Sequence, residues 1–67
     1  MALPATFPLI VRDSAGNVYA ASETGDAELA HVWSAVPAKR SKAGWEVKRS
    51  NQRPRLLRKA GCTVLAS

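Results

Sequence analysis

A single cysteine, Cys62, in a chain of 67 residues constrains this fold more than any other feature. One thiol closes no internal disulfide and supplies too few thiolates for the usual structural zinc sites. A chain of this length buries only roughly 60% of its unfolded surface. Its stability must therefore come from one thin apolar core in a single small domain spanning 1–67. The 46% hydrophobic content suffices for such a core and is too high for a disordered chain. Deep enclosed clefts and two-domain dinucleotide folds do not fit this size.

Small secreted domains of this length are usually stapled by disulfides, so the lone thiol predicts a reducing, cytoplasmic setting. Met1–Val11 carries no charge and includes two prolines. It is far shorter than the ~20 residues that span a bilayer, and it lacks the positive start of a signal peptide. No membrane partner is expected. Met1–Pro8 reads as an apolar N-terminal arm.

The charge is segregated along the chain. Residues 1–38 hold one base, Arg12, and four acids, Asp13, Glu23, Asp26 and Glu28, for a net of −3. Residues 39–67 hold nine bases and one acid, Glu46, for a net of +8. The nine are Lys39, Arg40, Lys42, Lys48, Arg49, Arg53, Arg55, Arg58 and Lys59, all within 39–59. Solubility asks for charge but not for segregation. A dense basic window in a folded domain is the footprint of a polyanionic partner.

Local patterns predict an α+β domain. Phe7–Arg12 reads as a strand, Asp13–Asn17 as turn chemistry and Val18–Ala21 as the returning strand. Asp26 is placed to cap a helix. Leu29, Val32, Trp33 and Val36 then fall on one helical arc, and Pro37 ends it. Residues 38–44 read as a basic connector, and Trp45–Arg49 as a half-buried strand broken by Ser50-Asn51-Gln52. Arg53–Gly61 reads as a short helix with Pro54 in its first turn and Gly61 at its C-cap. A hairpin strand pairing back on Trp45–Arg49 is the alternative. Cys62–Ala66 reads as a closing strand. The expected fold is a small antiparallel or mixed sheet of about three to four strands packed on one main helix. Its order is β-β-α-β-α-β, or β-β-α-β-β under the alternative.

No catalytic constellation is visible. His31 lies opposite the apolar arc with no second ligand at helical spacing, so no metal site is expected. Cys62 opens an apolar strand with no adjoining base and reads as an inert thiol. Gly16, Gly25, Gly44 and Gly61 are too dispersed to cradle a phosphate. The chain therefore reads as a non-enzyme without cofactors. Arg53-Pro54-Arg55 resembles three residues of the AT-hook core but lacks its glycine, and implies no function. Trp33 reads as core. Trp45 reads as core or as a stacking platform between basic segments. Asn51 and Gln52 read as caps or as readers of base edges.

The leading expectation is a small nucleic-acid-binding protein whose nine bases contact phosphates of DNA or RNA. The alternative is an interaction module docking on an acidic protein surface, either as an inhibitor of a host nucleic-acid-handling complex or in virion assembly. Twelve alanines and an excess of Arg over Lys, six to four, suit a bacterial, phage or plasmid gene. An open sheet edge would allow a homodimer under either reading.

Overall fold

The computed structural model describes residues 7–49 and 51–67. Six strands form one antiparallel sheet: β1 Leu9–Arg12, β2 Val18–Glu23, β3 Val32–Ser41, β4 Gly44–Val47, β5 Arg55–Arg58 and β6 Thr63–Ala66. The order is β4-β3-β2-β1-β6, with β5 also paired to β3. Among the described residues there is no α-helix, only one 3-10 turn at Ala27–Leu29. The expected α+β domain with a main helix is therefore corrected to an all-β fold, and both expected element orders fall with it. Of the expected apolar arm, residues 1–6 lie outside the described residues, while Phe7 packs on the core.

The first hairpin follows from its turn residues. Asp13 Oδ1 accepts the N–H groups of Ala15 at 3.0 Å and Asn17 at 2.9 Å. Gly16 takes φ 91°, a conformation that glycine adopts without steric cost. Arg12 then pairs with Val18 and Leu9 with Ala21.

The main-helix prediction fails after its first turn. Asp26 does cap, accepting the Glu28 N–H at 3.0 Å. The chain then leaves the helical path and becomes the ten-residue β3. Val32, Trp33, Val36 and Pro37 disfavour a helix. As a strand, the segment is hydrogen-bonded on both sides, to β2 and to β5 then β4. Both of its faces are buried: Trp33 and Ala35 on one, Val36 and Ala38 on the other. A strand buried on both faces shows no apolar–polar alternation, so its spacing also fits a helix.

Pro37 sits inside this strand rather than ending a helix. Its carbonyl accepts the Lys48 N–H at 3.0 Å, so its backbone polar groups face the β4/β5 side, away from β2. The β5 pairing ends at Ala35 and the β4 pairing begins at Ala38. The missing donor thus falls where β3 changes partner, and no bond to β2 is lost.

The second predicted helix, 53–61, is instead the strand β5 over Arg55–Arg58, followed by a turn. The alternative was right about its type and wrong about its partner, because β5 pairs with Val32–Ala35 and not with β4. Its adjacent leucines divide between faces: Leu57 packs on the core and Leu56 is 59% exposed. Gly61, at φ 82°, serves a turn in which Cys62 N–H donates to Lys59 O at 3.1 Å.

With no helix to cover it, the sheet covers itself. Strands β5 and β6 flank opposite sides of the sheet, yet the tight turn after Lys59 joins them, which requires the sheet to curl. The Trp33 face buries Val11, Tyr19, Ala21 and Ala35, with Leu9, Leu57 and Cys62 against them. The opposite, Ile10 face buries Ala20, Val36 and Ala38, with Phe7, Trp45 and Val47 against them.

One ion pair locks the end of this core. Glu23 accepts from Lys59 Nζ at 2.8 and 2.9 Å and from Trp33 Nε1 at 3.0 Å. The Lys59 hydrogen bond above all, with help from Trp33, holds the Glu23 carboxyl below its ordinary range against some desolvation. A depressed native value means stability that is present above the unfolded-state value of ~4.3 and is lost as pH falls through the native one. Urea midpoints measured from pH 7 to pH 2 should therefore decline in acid for the parent chain. They should decline less for Glu23→Gln. Parallel curves would remove this assignment.

Candidate nucleic-acid interface

The nine predicted bases all lie on the side of the sheet where β3 meets β4 and β5. Lys39 and Arg40 are on β3, Lys42 is in the β3–β4 turn, and Lys48 and Arg49 follow β4. Arg53 precedes β5, Arg55 and Arg58 are within it, and Lys59 follows it. A strand rises ~3.3 Å per residue, so the ten-residue β3 lays this row out over about 33 Å.

Two of the nine are neutralised. Lys39 stands opposite Glu46 and reaches it at 3.5 Å, with both side chains about half exposed. Lys59 is held by Glu23. The other seven have no carboxylate partner among the described residues. The acids, by contrast, are mostly engaged. Asp13 and Asp26 accept backbone N–H groups, and Glu23 and Glu46 hold lysines. Most of the negative charge thus serves the scaffold while most of the positive charge faces solvent.

The seven do not share one face. Directly opposed residues of an antiparallel pair lie on the same face. Arg55 opposes Ala35 and belongs to the Trp33 face. Arg58 opposes Val32, and Arg40 opposes Trp45, so both belong to the Ile10 face. Single-face placement, implicit in reading the segment as one basic surface, is replaced by an array that straddles an edge.

Lys48 and Arg55 converge. With Asn17, Val18, Tyr19 and Pro37 they line a groove of about 230 Å³ that contains no carboxylate. The groove exists because β4 and β5 meet β3 end to end. The Arg55 guanidinium lies over the Tyr19 ring, 5.7 Å from its centroid. On the other face Arg40 lies over Trp45 at 5.2 Å. Such contacts are worth about 0.5–1 kcal/mol at exposed sites and orient the cation. Trp45 is accordingly half-buried, packed on the core with Arg40 above it. Trp33 is core, as expected.

Asn17, Tyr19 and Pro37 were not legible as site residues. Asn17 and Tyr19 sit in the first hairpin, far in sequence from the bases they meet. Asn51 is exposed, whereas Gln52 turns inward with its Oε1 buried and unpartnered, a poor position for reading bases. Cys62 donates to Arg58 O at 3.1 Å, and desolvation, then the charge of Asp13, push its thiol up from the ordinary value. No helix among the described residues is long and apolar enough to cross a membrane. No family model, curated protein or solved structure matches this chain.

Proposed function

We propose that this chain is a small, non-enzymatic nucleic-acid-binding protein acting in the cytoplasm through the β3–β4–β5 edge. The observation that carries the reading is the imbalance just described. Among the described residues seven cations lack carboxylate partners along one edge, while four of the five acids are engaged by protein donors. Phosphate arrays are bound by such rows of Arg and Lys, with arginine adding bidentate geometry. Lys48 and Arg55 around their groove form the centre of the site. An acidic protein surface is the competing partner, and it would lack the regular charge spacing of a polynucleotide.

Fluorescence anisotropy with labelled oligonucleotides between 50 and 300 mM salt tests the proposal. Log affinity should fall linearly with log salt. For five to seven phosphates on a single strand the slope is about −3.5 to −5. Absence of binding to single strand and duplex at 50 mM salt would overturn it.

A further inference from the structure

We infer that the partner is an unpaired strand wrapped over the β4–β5 edge, rather than a duplex; this rests on the nucleic-acid reading above. The first argument is where the free cations lie. Arg55 is on the Trp33 face, while Arg40 and Arg58 are on the Ile10 face. Lys48, Arg49 and Arg53 lie in the segment that joins β4 to β5 along the edge between them. A duplex has a persistence length of ~150 base pairs and stays straight over a protein this small. Laid against one face of the sheet, it would meet the cations of that face and leave the others idle. An unpaired strand is flexible enough to pass from one face to the other and use all of them.

The second argument is chemical. Arg40 and Arg55 are exposed, and each is held over an aromatic ring, Trp45 on one face and Tyr19 on the other. A guanidinium braced from behind by a ring offers its outer side to a nucleobase. Bases in a duplex are stacked on one another and have no free face to offer. The groove between Lys48 and Arg55 has the volume of about eight water molecules. That is room for one phosphate group and its immediate substituents. The strand is thus anchored by a phosphate at Lys48 and Arg55, with bases against Arg55 on one side of the edge and Arg40 on the other.

The test compares an oligonucleotide of about 12 nucleotides, within the usual site size for single-strand binders, with its own duplex at 100 mM salt. The single strand should bind at least tenfold more tightly. Arg55→Gln and Arg40→Gln, on opposite faces, should each weaken single-strand binding about five- to tenfold, with urea midpoints confirming that both chains fold. Duplex binding as tight as the single strand overturns the inference and leaves the nucleic-acid reading standing. So does a loss confined to one of the two variants. If neither nucleic acid binds, both fall together.

Discussion

Trp33→Ala is expected to remove about a third or more of the fold's stability at 25 °C. Trp33 is 7% exposed and belongs to the core cluster of Val11, Tyr19, Ala21 and Ala35. Three of its neighbours in that cluster are alanine or valine, which cannot expand to fill the space it would leave. Its Nε1–H is also the link to Glu23, and Lys59 lies over its ring at 5.6 Å. Truncating a buried Trp to Ala costs about 3–5 kcal/mol. A domain of this size holds only about 3–10 kcal/mol in total. The urea midpoint should therefore fall by about a third or more, and where the parent chain holds less than about 5 kcal/mol amide NMR spectra should collapse to the narrow dispersion of an unfolded chain. Trp33→Phe keeps most of the ring and loses only the Glu23 bond, so it should stay folded with a lower urea midpoint. A cooperative transition in Trp33→Ala, weakened by less than about 1.5 kcal/mol, would mean that the Ile10 face alone can hold the sheet.

That dependence on a few residues also explains what could be read in advance. The first hairpin was legible because Asp13, Gly16 and Asn17 act within five residues of one another. The start of the 3-10 turn was legible for the same reason, since Asp26 needs only Glu28. The fate of 27–36 was not local. It depends on β2 lying on one side and β5 on the other, and the β5 residues that pair with it come 20 to 26 residues later in the chain. Loop-closure and pairing over that distance leave no local mark beyond β-branched and aromatic content, which here coincided with a helical arc. Arg53–Gly61 repeats the lesson. Leu56-Leu57 breaks alternation because Leu56 is left in solvent, a choice made by the edge position of the strand.

The site was legible as composition and not as shape. Segregated charge marks a segment, 39–59, that the fold lays along one side of β3. It did not reveal that Lys39 and Lys59 are spent on Glu46 and Glu23: Glu46 lies within the basic segment but meets Lys39 only through the β3–β4 register, and Glu23 lies 36 residues from Lys59. Nor could it distribute the rest between two faces. That division follows from strand register, which places Arg55 and Arg58, three residues apart, on opposite sides.

The strongest functional effect is expected from reversing the two cations that share the groove, Lys48→Glu with Arg55→Glu. Each removes one phosphate contact and adds a negative charge at the centre of the array. Loss of two contacts should flatten the single-strand salt slope by about 1.4. Repulsion comes on top of that, so affinity at 100 mM salt should drop at least 100-fold, roughly 2.7 kcal/mol. The fold should survive, because both side chains reach solvent and the Arg55–Tyr19 contact is worth only about 0.5–1 kcal/mol. A generic charge effect makes a different forecast. Ser67→Glu lowers the net charge by one at an exposed position beyond β6. An effect of overall charge would cost it about threefold, one quarter of the four-charge double reversal in free energy, whereas a localised site leaves both affinity and slope unchanged. If it weakens binding as much per charge as the double reversal does, the protein attracts polyanions through its overall field. The groove would then be a consequence of how β4 and β5 share β3, and not the place where a strand is held.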